Sequence, residues 1–495
     1  MKEKIVNLIA NHVEGMTAEE IATFIEIPPK QELGDYAFPC FRLAKTMHKA
    51  PNLIAADIKE AIGDIDFLDK IDVQGAYLNF FVKKNIFVQT MIESALKDNF
   101  GGSDEGADKV ICIDYSSPNV AKNFHVGHLR TTIIGNSLYK IYSKLGYKVI
   151  RINHLGDWGT QFGKLIVAYK NWGTKEAVEK DGVAELMRLY VKFHEEADQN
   201  PELVDEARAW FSKMEHGDEE ALSIWQWFKD ISLVEYKRTY DLLGMDFDYY
   251  LGESFYRDKC QEVVDQLTNA NLLKESEGAM IVDLSDYDMA PCIVTKKDGS
   301  SIYATRDLAA IFYRKNTYHF TKCLYVTGQE QKLHFAQVFK VVELLGNDWA
   351  KDSLVHIPYG LVSLEGAKLS TRSGNIIYAE DILHDAIKKS FEIISEKSPN
   401  LPDKEEVAKI VGVGSVLFND LYNQRIKDVS FSWDKVLNFD GETGPYVQYT
   451  HARCSSVVRL AENFDPAKPV DYSTISEPDA MNLLKEISRF PKVVS

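Results

Sequence analysis

None of the six cysteines in this 495-residue sequence has a partner at a useful spacing. Cys40, Cys112, Cys260, Cys292, Cys323 and Cys454 stand singly, with no CxxC pair and no Cys/His cluster at metal-ligand spacing. That argues against a disulfide framework and against a tightly bound protein metal, and a reducing cytosol fits such cysteine usage. Long apolar runs are missing too: no stretch approaches the ~20 residues that cross a bilayer. The N-terminal MKEKIVNLIANHVEGM has only a short apolar run before Asn11, His12 and Glu14, the pattern of an amphipathic helix rather than a signal peptide. A cytoplasmic protein with no membrane partner is expected. An excess of positive charge is the third absence. Lys+Arg 57 against Asp+Glu 74 leaves a net charge of −17, where polyanion binders usually carry a basic footprint. Distribution qualifies this, because residues 195–220 hold ten acidic and two basic side chains, about half of the excess.

Apolar residues at 45% and charged ones at 26% are ordinary for a globular chain. At ~100–200 residues per domain the length predicts about three domains. Residues 1–83 read as a small α+β module, with helical patterns at 2–13, 39–48 and 52–63 and an alternating strand, IDVQGAYLNFFV, at 71–82. A helix over about 84–98 and the linker GGSDEGAD (101–108) follow, giving a connecting segment at 84–108. KVICIDYSS (109–117) is short and β-branched, as in a buried parallel strand; a helix at about 126–145 and the strand YKVIRIN (147–153) complete a β-α-β unit. That order predicts a doubly wound parallel-sheet, Rossmann-like domain over 109–380, with its site at the carboxyl ends of the strands. A long helical, acidic pattern from about 165 to 248 and a hairpin from 277–285 and 290–296 make an insertion at about 165–290. A helix at 303–315, the strand KCLYVTG (322–328) and a helix at 332–345 follow. The rest, 381–495, reads as a helical bundle.

Two segments carry chemistry. In YSSPNVAKNFHVGHLR (115–130), placed between strand and helix, His125 and His128 share the first helical turn. Gly127 leaves room for a flat group, and a helix N-terminus offers free N–H groups and a positive dipole end to a phosphate. A bare HxxH is more often a pair of capping histidines; the strand–loop–helix context favours chemistry. The second segment is GAKLSTRSGN (366–375), where Lys368 and Arg372 flank Ser370 and Thr371 between glycines, a basic hydroxyl-bearing loop suited to a leaving pyrophosphate.

Together these resemble the HIGH and KMSKS sequences of class I aminoacyl-tRNA synthetases, here HVGH and KLSTR. SSPNVAKNFHVGHLRTTIIGNSL, NHLGDWGTQFG (153–163), YATRDLAA (303–310), KLSTRSGN and FDGETGPYVQYTHAR (439–453) narrow the resemblance to the arginyl-tRNA synthetase family, in order and spacing, over nearly the whole chain. The resemblance implies ATP-dependent activation of L-arginine, with Mg2+ on the ATP, and transfer to tRNA(Arg), with adenylate formation dependent on bound tRNA. It implies a monomer.

Residue by residue, the resemblance assigns His125, His128, Gly127, Lys368, Ser370, Thr371 and Arg372 to ATP. Thr371 stands where the family at large has a second lysine; in members sharing this variant a lysine upstream of HIGH substitutes, and Lys122 stands there. Asp114, Ser117 and Asn119 match residues holding the α-amino and carboxylate end of arginine, and His154 and Gln331 (or Gln329, two residues earlier) are further matches. Tyr303 and Asp307, at i and i+4 on one helix face, match the guanidinium partners; a planar cation needs such a fixed fork. The N-terminal module matches the part that reads the tRNA elbow, with Tyr77 and Asn79 as base readers. The 381–495 bundle matches the anticodon-binding region, with Tyr446, Gln448, Tyr449 and Arg453 as contacts. The family's bundle continues beyond RFPKVV, so an incomplete bundle is expected here. The acidic 195–220 segment is expected to face away from the RNA. Rivals are a class I ligase for another carboxylate, disfavoured by GAYLNF and by the lack of cysteine zinc ligands, and a tRNA-binding relative without catalysis, disfavoured by HVGH and Lys368.

Overall fold

The computed structural model describes residues 1–297, 301–364, 378–438, 441–461 and 469–495, which divide into two compact units. The first unit comprises 1–102 and 463–495. Its three-stranded antiparallel sheet has Tyr77–Val82 in the centre, between Tyr36–Pro39 and Leu68–Gln74. Leu78, Phe80 and Val82 alternate onto one face and meet Ile5, Ile9, Ile54 and Ile58 from the helices Lys2–Ala10 and Pro51–Ile62. Two expectations are corrected. The alternation over 71–82 is two strands rather than one, because Gly75 adopts φ +62° and turns the chain between Gln74 and Tyr77. The pattern at 39–48 is a strand end, a 3-10 turn at Cys40–Leu43 and a one-turn helix at Ala44–Met47.

The helix Pro478–Val494 belongs to the first unit, where Leu484 enters the core, Phe490 stacks on Phe100 at 5.8 Å and Lys485 lies 3.6 Å from Asp35. An amphipathic helix settles where its apolar stripe is covered, and this one is covered by the helix Lys84–Ala95 and its neighbours.

The second unit, 103–462, is built on five parallel strands. These are β1 (Val110–Asp114), β2 (Lys148–Asn153), β3 (Tyr249–Tyr250), β4 (Lys322–Gly328) and β5 (Leu354–Tyr359), in the order β5-β4-β1-β2-β3. Asp114 at the end of β1 pairs in register with Ile152 and Tyr325. Alternate residues feed different cores: Ile111, Ile113, Leu324 and Val326 pack against helix α1 (Val126–Lys144), whereas Cys112, Ile150, Ile152 and Cys323 pack against α2 (Tyr303–Tyr318) and α3 (Lys332–Leu344). A sheet buried on both faces needs apolar residues at every position, hence the continuous β-branched runs. Strand order changes direction between β1 and β4, so the carboxyl ends of these two strands open onto a crevice, beside which β2 ends.

The connection from β2 to β3 carries five helices, Thr160–Trp172, Lys175–Asp181, Val183–Ala197, Glu202–Glu215 and Glu219–Leu243, around a core of Phe162, Leu189, Phe193 and Phe228. Nine of the ten acidic residues at 195–220 are exposed, the exception being the cap Asp218. The expected hairpin is part of a three-stranded antiparallel sheet, Leu273–Ser276, Ala279–Val282 and Cys292–Thr295. Helices Ala379–Lys397, Lys404–Tyr422 and Gly444–Leu460 pack together at the end of this unit. No helix among the described residues is long and apolar enough to cross a membrane.

Candidate active site

Between β1 and α1 the chain is strained. Ser116, Ser117 and Ala121 hold positive φ values of 71°, 46° and 60°, at an order of 1–3 kcal/mol each for non-glycine residues. A buried network keeps them there. The Ser116 hydroxyl lies 2.7 Å from that of Tyr240, Thr132 donates to Ser116 at 2.8 Å, and the Asn153 amide donates to Tyr240 at 2.9 Å. The Tyr236 hydroxyl lies 2.7 Å from the carbonyls of both Asn119 and Lys122.

His125 then caps α1. Its Nδ1 accepts from the Gly127 amide at 3.1 Å, and His128 Nδ1 accepts from the His125 amide at 3.3 Å, a capping box built from imidazoles. The rings stack at 3.8 Å with 24° between planes. A Cβ on Gly127 would lie 2.9 Å from His125 Cε1, so the space that glycine leaves is filled by the neighbouring ring itself. Burial and then Lys122 lower the pKa of His125; burial, His125 and Lys122 lower that of His128 further. Both imidazoles are therefore neutral, with Nδ1 accepting and the proton on Nε2. Neither Nε2 has a partner among the described residues. The capping role thus leaves chemistry open: one nitrogen of each ring builds the helix start and the other is a donor without a partner among the described residues.

Asp114 is 6% exposed at the end of β1, its Oδ1 accepting from the Ser117 hydroxyl at 2.9 Å. Its Oδ2 pairs with Arg314 Nη2 at 2.7 Å, and the same Nη2 lies 3.1 Å from His154 Nδ1. The His154 ring stacks on Tyr256 at 5.4 Å, and burial lowers its pKa. Asn119 is exposed and bridges in parallel to Gly156, tying the SSPN loop to the loop after β2. In that second loop Asp157 is fully buried: its carboxylate accepts from Lys229 Nζ at 2.6 Å and from the Ser254 amide and hydroxyl at 2.8 and 2.7 Å.

Tyr303 opens α2, 64% exposed, one turn before Asp307. Asp307 Oδ2 lies 2.7 Å from His334 Nε2 on α3, and the Tyr303 and His334 rings meet edge-on at 5.8 Å. Glu253 stands 3.5 Å from Arg306; burial, with Asp307 and Asp157 nearby, pushes its carboxyl up to about 7. Gln331 and Gln329 are both exposed in the turn after β4.

Lys122 is exposed, three residues before the cap. Lys368, Ser370, Thr371 and Arg372 lie outside the described residues. The chain re-enters at Tyr378, which bridges to His125, and the Ala379 amide donates to the Phe124 carbonyl at 2.9 Å. Arg130 of α1, 1% exposed, donates to the carbonyls of Leu361 at 3.3 Å and Arg425 at 3.1 Å and pairs with Asp420 at 3.5 Å. Of the remaining expected residues, Tyr77 is 37% exposed, edge-on to Phe41, whereas Asn79 on the same strand face is covered and 3% exposed. Tyr446, Tyr449 and Arg453 are exposed on Gly444–Leu460. Gln448 turns inward, donating to the Ile410 carbonyl at 3.1 Å across a helix pair.

Sequence reasoning missed Arg314, His334, Asp157, Glu253 and Arg130. Asp157 and Arg130 stood inside quoted motifs, GDWGTQFG and HVGHLR, and a charge inside each motif was the available signal. Arg314 lies at i+7 from Asp307 on one helix face, a spacing open to inspection; His334 and Glu253 gave no local sign.

Comparison with known proteins agrees with this architecture. The model of the class I (R) tRNA synthetase catalytic domain matches residues 91–433, that of the arginyl-tRNA synthetase N-terminal domain 2–82, and that of the DALR anticodon binding domain 447–495. An arginine–tRNA ligase of Alkaliphilus metalliredigens is 56% identical over 495 residues, 100% of this chain and 87% of that protein. One of Clostridioides difficile is 55% identical over 493 residues, 99% of this chain and 87% of that protein. Among solved structures, the Thermus thermophilus arginyl-tRNA synthetase superposes with a TM-score of 0.80 at 23% identity, over 100% of this chain and 87% of that one. The Plasmodium falciparum enzyme gives 0.75 at 22%, over 100% and 88%; these two speak for the fold. The chain belongs to the arginyl-tRNA synthetase family of class I aminoacyl-tRNA synthetases.

Proposed function

We propose that this chain ligates L-arginine to tRNA(Arg) in two steps at the carboxyl ends of β1 and β2. First, a carboxylate oxygen of arginine attacks the α-phosphorus of MgATP in line. The bond from that phosphorus to the bridging oxygen breaks, pyrophosphate leaves and arginyl-adenylate remains. Second, a hydroxyl of the terminal tRNA ribose attacks the acyl carbon, AMP departs and the hydroxyl proton is released. Such transfers are catalysed by positioning and by charge stabilisation on the phosphates.

The observation that carries this function is the presence, in one unit, of two imidazole donors at the start of α1, unpartnered among the described residues, and of the Asp114, His154, Asp307 crevice, in a chain more than half identical to arginine–tRNA ligases. In this scheme His125 and His128 donate from Nε2 to the phosphates, Gly127 lets the rings stack, and Lys122, Lys368, Ser370, Thr371 and Arg372 meet phosphate charge. Asp114, Ser117, Asn119 and His154 hold the ammonium and carboxylate of arginine, while Tyr303, Asp307 and Gln331 hold the guanidinium. For Asp307 to do so, His334 must share or yield its carboxylate oxygen. Lysine is rejected because its single ammonium leaves part of this set of partners unpaired. Tyr77, supported by Asn79, and Tyr446, Tyr449 and Arg453, with Gln448 holding their helix, meet the tRNA. The enzyme acts as a monomer in the cytoplasm, and its first step requires tRNA.

The test is arginine-dependent exchange of pyrophosphate into ATP, with and without tRNA carrying an arginine anticodon. Exchange only with tRNA is expected. No exchange with tRNA present overturns the function, and exchange without it overturns the dependence alone.

A further inference from the structure

The stripe of α2 that presents Tyr303 and Asp307 continues at Arg314, whose side chain is fully buried. Its Nη2 is shared between Asp114 Oδ2 at 2.7 Å and His154 Nδ1 at 3.1 Å, two groups from different strand ends. A guanidinium is always protonated and only donates. His154 Nδ1 is therefore the acceptor, and a neutral His154 carries its proton on Nε2. The stacking of His154 on Tyr256 fixes the plane in which that N–H points. On the other side, the Asp114 carboxylate is held between Arg314 and the Ser117 hydroxyl, one donor on each oxygen, so its orientation is set at both ends.

We propose that Arg314 is a positioning residue for the amino-acid site, fixing the His154 tautomer as an Nε2–H donor and aiming Asp114 from a single guanidinium nitrogen. This rests on Asp114 and His154 meeting arginine's ammonium and carboxylate ends, and it assigns a common origin to both orientations. A lysine cannot replace it fully: its shorter arm withdraws the charged nitrogen from the place between Asp114 and His154 that Nη2 holds. Burial of His154, which keeps the ring neutral, is consistent with the arrangement.

The experiment is 15N NMR of the full chain labelled at histidine, the His154 signals being assigned by their loss in His154→Gln. The wild-type protein without substrates is expected to show His154 deprotonated at Nδ1 and protonated at Nε2. An Nδ1–H tautomer there overturns the proposal whatever the enzyme does. In Arg314→Lys the tautomer preference is expected to collapse. In the exchange assay the KM for arginine should then rise about 10- to 100-fold, the loss of one charge-assisted hydrogen bond, with the KM for ATP unchanged. An unaltered tautomer, an unaltered KM for arginine, or equal rises in both KM values overturns it. Should Arg314→Lys not fold, the wild-type tautomer still decides. Absence of exchange in the wild type would refute the function and leave the tautomer result standing.

Discussion

Asp157 offers a strong test of how the site is held, because its carboxylate ties three parts of the chain together. It lies three residues beyond His154 and is fully buried. It accepts from Lys229 on the longest helix of the β2–β3 connection and from Ser254 beyond β3, while its carbonyl accepts from the Trp225 indole at 2.7 Å. A Cβ on Gly252 would lie 2.4 Å from that carboxylate, so the backbone there approaches as closely as glycine permits. Lys229 is itself only 15% exposed. Removing one partner of such a buried pair leaves the other charge stranded and costs ~3–5 kcal/mol, whereas removing both costs much less than the sum. At ~2.1 cal/mol/K per residue over the larger unit, 103–462, 1 kcal/mol corresponds to ~1.3 °C. Asp157→Ala and Lys229→Met should therefore each lower its melting midpoint by ~4–7 °C, and the double variant by no more than the worse single one. Scanning calorimetry of the four proteins measures this. A loss under 1 °C for Asp157→Ala, or strict additivity, would refute the idea that the pair closes the loop. Because that loop carries His154, Asp157→Ala should also raise the KM for arginine more than that for ATP.

Three further outcomes are expected. His125→Asn can keep the cap by offering Oδ1 to the Gly127 amide but has no donor at the Nε2 position, so pyrophosphate exchange should fall ~10²–10³-fold with little loss of stability. His125→Ala should lose ~1 kcal/mol as well, and equal stabilities by urea unfolding would mean the cap is idle. Gly127→Ala places a methyl 2.9 Å from His125 Cε1. It should unstack the rings and slow exchange while circular dichroism remains unchanged; a wild-type rate would show the ring position to be immaterial. Glu253, raised to about 7 mainly by burial, binds its proton more tightly folded than unfolded, so its contribution is full below about 4.5 and is lost as pH rises through 7. Glu253→Gln should thus gain about 3 kcal/mol relative to wild type between pH 5 and 8, and parallel stability–pH curves would exclude it.

The parallel strands and their helices were legible because burial on both faces demands unbroken apolar runs, and KCLYVTG became β4 without a shifted boundary. What escaped was set by partners distant in sequence. Arg314 shares a helix face with Asp307, but its partner His154 is 160 positions away, and His334 meets Asp307 across two helices; local spacing names neither partner. Gly75 shows the opposite failure, a local signal overridden by a pattern that looked continuous, since alternation holds on both sides of a tight turn. Gln448 belongs with the first kind: an amide among exposed tyrosines reads as a contact until the facing helix supplies a carbonyl.

Three imidazoles around the crevice share one design. His125, His128 and His154 each use Nδ1 as an acceptor, from two backbone amides and one guanidinium, and burial lowers the pKa of all three. Each is thus a neutral Nε2–H donor; in the proposed reaction His125 and His128 can follow charge as it moves onto phosphate oxygens, and His154 can meet the arginine carboxylate. Protonation would also require Nδ1 to donate, and at His125 that breaks the hydrogen bond from the Gly127 amide. A histidine whose folded pKa lies below 6.5 binds fewer protons folded than unfolded, so stability is present above 6.5 and is lost as pH falls through the folded value. Acidification below 6.5 should therefore accelerate amide exchange at Gly127 ahead of the middle of α1. Mass-resolved hydrogen exchange between pH 5 and 7, corrected for the intrinsic rate, tests it. If Gly127 stays protected to the same degree as Ile133 throughout, the imidazole cap does not respond to protons and the neutral-donor account of the site fails.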